Sequence, residues 1–295
     1  MTVASLSTAG TRAPVRKRRR NSRSGSPLPR ILAYVFIGLM LVIFTLPTFY
    51  AVLTSLQPPL VSINPVPQWI FMPTLDNFVV LFQEYAFLGP LLNSVQSSVG
   101  SAILALVISA PAAYALSRAK VSSAGIVGFW LLVARALPAI GLAIPAYAIF
   151  NQVGLSDSLV SLLIVYLPFN VALATIMLKV FIDGIPRELD EAAAIDGAGP
   201  MRTMVRVVLP IARPGLASVT IMTFLFSWNN FLFPLVLTGS RSSTIPLALQ
   251  QFLGSYTLQW NQVMAGVVLL SLPLIVLGAI FGKHMVGGLA VGGVK

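Results

Sequence analysis

The chain has 295 residues, of which 57% are hydrophobic and only 9% charged, with a mean hydropathy of +0.88. Soluble domains carry about 25% charged residues, so water is not the main solvent here. The lack of cysteine excludes a disulfide framework and a thiolate metal site, and the placement of the net charge of +11 matters more than its size.

Residues 1–29 form a basic segment containing Arg16-Lys17-Arg18-Arg19-Arg20. A nuclear signal or a nucleic-acid arm is one reading of such a run. The charge asymmetry of the whole chain favours a disordered tail that enforces membrane topology. From residue 30 to 295 the chain reads as one membrane domain. A hydrocarbon core needs about 20 apolar residues per helix, and six stretches meet that length: 31–56, 93–117, 124–150, 158–182, 215–239 and 264–282. The first is longer than the roughly 7–15 residues of a signal-peptide core and shows no clear small-residue cleavage site, so it is retained as a helix. Pro47, Pro111, Pro138, Pro145, Pro168, Pro234 and Pro273 interrupt these spans, as membrane helices tolerate when neighbours re-satisfy the backbone. The expected fold is an all-α polytopic membrane protein with six transmembrane helices.

Lys and Arg collect in cytoplasmic loops because translocating them is unfavourable. Eight of the nineteen precede the first span. Placing both termini in the cytoplasm also puts Arg118, Lys120, the basic residues from Lys179 to Arg213, Lys283 and Lys295 inside. Only Arg135, within a span, and Arg241, in an outer loop, fall elsewhere. The outer segment from Gln57 to Leu92 is rich in proline (Pro58, Pro59, Pro65, Pro67, Pro73), which argues for a non-helical crossing with a short helix near 77–85. It either receives a partner or merely connects.

The most informative stretch is cytoplasmic, about 183–213, and contains Pro186-Arg187-Glu188-Leu189-Asp190-Glu191-Ala192-Ala193-Ala194-Ile195-Asp196-Gly197. Pro186 suits a first helical turn, Glu188 and Asp190 complement its dipole, and Gly197 suits a C-terminal cap. Leu189, Ala192, Ala193 and Asp196 share a face with small side chains, which permits close approach to a partner surface. Helices that lie on a bilayer favour Lys, Arg and bulky apolar residues. Here five of the chain's eight acids lie between Asp183 and Asp196, so docking to protein is the better reading.

Glu191-Ala192-Ala193, followed after three residues by Gly197 and after nine more by Val207-Val208-Leu209-Pro210, resembles the EAA loop of binding-protein-dependent ABC permeases. Val207 departs from that pattern, which usually has isoleucine. Leu75-Asp76-Asn77-Phe78 with Asn93-Ser94, Ile144-Pro145-Ala146-Tyr147 with Gly154-Leu155, Trp228-Asn229-Asn230-Phe231 with Pro234-Leu235, and the glycine-rich ending Gly287 to Lys295 are similar to the carbohydrate branch, the maltose-type second permease subunit. The likeness covers about residues 30 to 295.

The resemblance implies a permease subunit in a bacterial inner membrane that moves a sugar or polyol. It implies as partners a second homologous permease subunit, two ATPase subunits, an extracytoplasmic solute-binding protein and membrane lipid, with no nucleic acid. ATP and Mg would be bound by the ATPases, and this chain would need no cofactor or metal. It further implies that Glu191, Ala192, Ala193, Asp196, Gly197, Leu209 and Pro210 couple the chain to the ATPase. Independently, the chain has no G-x-x-x-x-G-K-[ST] phosphate loop: Gly282-Lys283 is followed by His284. His284, the single histidine, sits where a cation complements a helix end, and no catalytic constellation is assembled in the sequence.

A mid-membrane arginine faces a bundle interior or an aqueous cavity. Arg135 is therefore read either as a substrate contact or as the partner of a carboxylate or carbonyl of the partner subunit. Trp228, Asn229 and Asn230 suit sugar stacking and hydroxyl recognition, but also helix packing. In maltose-type relatives the other membrane subunit holds most of the sugar, which favours path lining or packing. Remaining alternatives are a permease for glycerol phosphate or another solute, and an ion-coupled secondary transporter. The latter is disfavoured because its intramembrane carboxylates are missing.

Overall fold

The computed structural model describes residues 28–58, 69–119, 123–253 and 260–292, and among these the regular elements are all helices. The basic tail up to residue 27, the proline-rich stretch 59–68, Lys120, the side chain of His284 and the last residues of the glycine-rich ending lie outside the description. The chain divides into two compact units, Met1–Pro47 and Thr48–Lys295. In the first, helix α1 (Leu28–Ser55) leaves every side chain from Ile31 to Leu46 exposed except the half-buried Met40. That surface is almost wholly apolar, and the Thr45 hydroxyl turns back onto the Leu41 carbonyl. Such a helix satisfies its polar groups internally and offers the rest to hydrocarbon.

The second unit continues with α2 (Asp76–Gln83), α3 (Leu88–Arg118), α4 (Ser123–Ala136), α5 (Ala139–Gln152), α6 (Leu159–Asp183) and α7 (Glu188–Ile195). Next come α8 (Pro200–Thr203), a π-helical turn over Met204–Val208, α9 (Leu209–Ile211), α10 (Arg213–Trp228), α11 (Leu232–Leu237), α12 (Ile245–Leu253) and α13 (Trp260–Gly292). Among the described residues, α1, α3, α6 and α13 are long and apolar enough to cross a membrane, and six crossings result only if two bent pairs count as one each.

The bends correct the sequence reading. The stretch 124–150, expected as one helix, turns by 84° between α4 and α5. Pro138 supplies no N–H and takes an extended ψ of 119°, which ends the helix before it. The stretch 215–239 is also divided, because α10 ends at Trp228 and α11 begins at Leu232. A second 84° bend separates Pro200–Ile211 from α10, just before Pro214. By contrast Pro47, Pro111, Pro145, Pro168 and Pro273 lie inside continuous helices. The second apolar helix begins at Leu88 rather than 93.

Helices α3 and α6 share the most extensive packing, and α10 packs on both. The reason is legible along α3, where Ser94, Ser97, Ser98, Ser101, Ala102, Ala105 and Ser109 are buried. Small residues let backbones come close where lipid gives no hydrophobic drive. Gly215 on α10 serves the same end, since a Cβ there would overlap the Phe181 ring of α6.

Candidate functional site

Helix α7 is short, acidic in its first turn (Glu188, Asp190, Glu191) and closed by a Schellman motif. Ala198 N–H donates to the Ala193 carbonyl at 2.9 Å, and Gly197 N–H to Ala194 at 3.0 Å. Gly197 itself has φ +77°, a left-handed conformation that suits glycine. The cap expected from the sequence is therefore present.

One face of α7 is fastened to the rest of its own chain. Asp190 receives the Tyr114 hydroxyl on Oδ1 at 2.6 Å and pairs with Arg118 Nη2 through Oδ2 at 2.8 Å. Arg118 also donates to the carbonyls of Ile182 (3.4 Å) and Ile185 (3.3 Å), and Arg187 Nη2 donates to Ser117 O at 2.9 Å. Tyr114 and Arg118 stand one turn apart on α3, so both reach the same carboxylate. Ala193, on this inner side, is only 9% exposed. This departs from the expectation that Ala192 and Ala193 form one outward face. The open face instead carries Glu188, Glu191, Ala192 and Ile195, the last 87% exposed, with Asp196 exposed at the helix end. Leu209 and Pro210 are half-buried just beyond the π-helical turn. There Leu209 N–H reaches back five residues to Met204 O, and Pro210 has no N–H to continue the ladder.

The residues expected along the path each have a partner within the chain. Trp228 is 1% exposed, donates Nε1–H to the Leu270 carbonyl at 2.9 Å and stacks on Phe224 at 5.4 Å. It is a packing residue here, and no face is left for a sugar. Asn230 Oδ1 accepts the Phe233 N–H at 3.1 Å and so caps α11, while the exposed Asn229 returns to the Leu225 carbonyl. Arg135 lies at the end of α4, beside the bend, with its guanidinium 4.6 Å from the centre of the Phe226 ring. Within this chain an aromatic face takes that charge.

Sequence reasoning missed three groups. Arg118 was read only as a topology signal, and Tyr114 and Asp190 were not joined to it. Asn170 is fully buried where α3, α6 and α10 meet, donating to Ser101 Oγ (2.6 Å) and Ser227 Oγ (2.9 Å). Asp157, at φ +53°, accepts from the backbone N–H groups of Gly239, Arg241 and Ser242 and from the Ser242 hydroxyl. Burial works against ionising this carboxyl, but the hydrogen bonds from Ser242, Gly239 and Arg241 outweigh it and hold it well below the usual carboxylate range. The run Ser156-Asp157-Ser158 next to Gly154-Leu155 was the only hint, and it signals a turn.

Residues 105–290 match the family described as binding-protein-dependent transport system inner membrane component. The chain belongs to this family. It is a multi-pass inner-membrane permease, and the ion-coupled reading falls away with that membership. A probable ABC transporter permease protein of Sinorhizobium fredii is 31% identical over 93% of this permease and 99% of its own length. The trehalose transport system permease protein SugB of Mycobacterium tuberculosis is 33% identical over 75% of this permease and 82% of that protein. The crystal structure of a bacterial ABC transporter involved in the import of the acidic polysaccharide alginate contains a chain with the same fold. It has a TM-score of 0.71 at 22% identity, and the match covers 88% of this permease and 98% of that chain.

Proposed function

We propose that the permease carries a sugar or polyol across the inner membrane, with hydrolysis of ATP performed by two partner ATPase subunits, one of which docks on α7. The observation that carries the docking is the open face of α7. A buried clamp on one side leaves Glu188, Glu191, Ala192 and Ile195 presented on the other. An apolar side chain 87% exposed on an otherwise acidic helix fits a socket in a protein partner better than water or lipid. Glu191, Ala192, Asp196 and Gly197 belong to this contact or its turn. Ala193, Leu209 and Pro210 support it from within.

The sugar reading rests on relatives whose names specify trehalose and maltose transport. A second homologous permease and an external solute-binding protein complete the importer. Both termini lie in the cytoplasm, and residues 1–29 are a tail outside the permease domain of 30–295. The test is an importer assembled with its ATPases in liposomes, assayed for uptake of trehalose, maltose and glycerol 3-phosphate. Sugar uptake that needs both ATP and the binding protein is expected, and Ile195→Asp releases the ATPase subunits. Uptake of glycerol 3-phosphate alone would overturn the substrate class, and ATPases retained by Ile195→Asp would overturn the docking face.

A further inference from the structure

Helix α3 is fastened at both ends by side chains that reach other elements. At one end Asn93 Nδ2 donates to the carbonyls of Arg241 and Ser243, both at 2.9 Å, and Ser94 Oγ accepts the Ile245 N–H at 2.8 Å. These contacts hold the loop between α11 and α12, whose N–H groups Asp157 also binds. At the other end Tyr114 and Arg118 hold Asp190 of α7. Between Asn93 and Arg118 the helix is continuous, and at 1.5 Å per residue it covers roughly 37 Å.

We propose that α3 is a rod that joins the two faces of the permease, so that the state of the 238–245 loop and the position of α7 are set together. Asp190 and Asn93 are its two positioning residues. The proposal rests on the docking of ATPases at α7 and adds a route to it. The covalent path from α7 runs into α6 through the turn at Gly184–Ile185 and into α10 through the bend before Pro214. Both connections are turns and absorb displacement. The Asp190 carboxylate bypasses them, because its pair with Arg118 is largely shielded, with side chains 15% and 17% exposed. A charge pair so shielded resists shear more than a solvated one. Along its length α3 is gripped by α6 and α10 through its small-residue seam, so movement of either end carries the centre of the bundle with it.

The proposal is tested in the reconstituted importer by comparing ATP hydrolysis with and without sugar-loaded binding protein. Asn93→Ala and Asp190→Ala are each expected to reduce that stimulation about fivefold or more, in the range of measured couplings between sites. The double variant is expected to lose no more than the more damaging single, since a rod cut at one end transmits nothing further. Asp190→Glu, which keeps the charge, restores part of the stimulation, a rescue that a purely structural role at Asp190 does not predict. Losses that multiply in the double variant, or full stimulation in both singles, overturn the proposal.

A second measurement covers variants that fail to assemble. In the cysteine-free chain, Tyr114→Cys and Asp190→Cys are joined by a short bifunctional thiol reagent. Stimulation that is higher after cross-linking than in the same unlinked double-cysteine variant supports a unit that moves together, and stimulation that cross-linking leaves unchanged or lowers overturns it. The failure of the docking reading is separate, for it appears as ATPase subunits retained by Ile195→Asp.

Discussion

At the scale of single residues, the consequences of substitution follow from whether torsion, charge or packing holds the side chain. Gly197 has open space where a Cβ would go but sits at φ +77°. A valine there is strained by its backbone and not by its neighbours, at about 1–2 kcal/mol. Gly197→Val is expected to reach the membrane at normal level yet to lower uptake per ATP several-fold, whereas Gly197→Asn keeps most of it. Uptake and hydrolysis measured together check this. Arg241 and Arg135 make a second contrast. The Arg241 side chain is 82% exposed and 3.6 Å from Asp157, but its main-chain groups make the hydrogen bonds. Arg241→Ala is therefore expected to transport nearly as wild type, while Arg135→Ala loses a cation–π contact worth about 0.5–2 kcal/mol and transports less at matched membrane levels.

Asp157 supplies a pH prediction at the same scale. Its folded carboxyl is held below the ordinary carboxylate value of about 3.9 by the hydrogen bonds around it. Its stabilising contribution is thus fully present above that ordinary value and is lost as pH falls through the depressed one. The stabilising contribution of Asp157, read by thermal unfolding of the purified protein, is expected to be constant between about pH 5 and 8, a window set by the ordinary carboxylate pKa. Acidification below that window destabilises the wild type, and Asp157→Asn removes this part of the acid sensitivity while lowering stability at neutral pH.

At the scale of elements, α7 has two faces of opposite character. Tyr114 and Arg118 bind its inner side, Arg187 at its start reaches back to Ser117 of α3, and Ala193 is closed off with them. A cysteine scan reads this directly, because the chain has none of its own. In the permease without ATPases, Ala192→Cys and Ile195→Cys are expected to react rapidly with a water-soluble maleimide, and Ala193→Cys slowly. In the assembled importer the first two become protected. Fast labelling at Ala193 would contradict the clamp.

At the scale of the whole molecule, the positions of Arg118 and Arg241 decide the arrangement in the membrane. Six crossings require that α4 with α5, bent by 84°, count as one and that Pro200–Ile211 with α10, also bent by 84°, count as another. Reporters fused after Arg118 and after Arg241 are expected to lie on opposite sides of the membrane, with Arg118 cytoplasmic. Finding both on one side would rule out six crossings and with them the use of α3 as a link between two faces.

What the amino-acid sequence determined on its own is what local, additive signals carry: the lipid solvent, the long apolar helices, the acidic helix at 188–195 and the glycine that ends it. Each depends on residues within a few turns of one another, as with the Gly197 cap. The tertiary structure decided what depends on distant partners. Asp190 meets Tyr114 across 76 residues, Asn93 meets Arg241 across 148, and Trp228 meets Leu270 across 42. Hence the spacing that puts Ala192 and Ala193 side by side could not say that Ala193 turns inward. An aromatic-amide run that suits a sugar could not reveal that its tryptophan was already buried in the bundle. Periodicity assigns a residue to a helix, but only the packing of one helix on another assigns its side chain to an inner or an outer face.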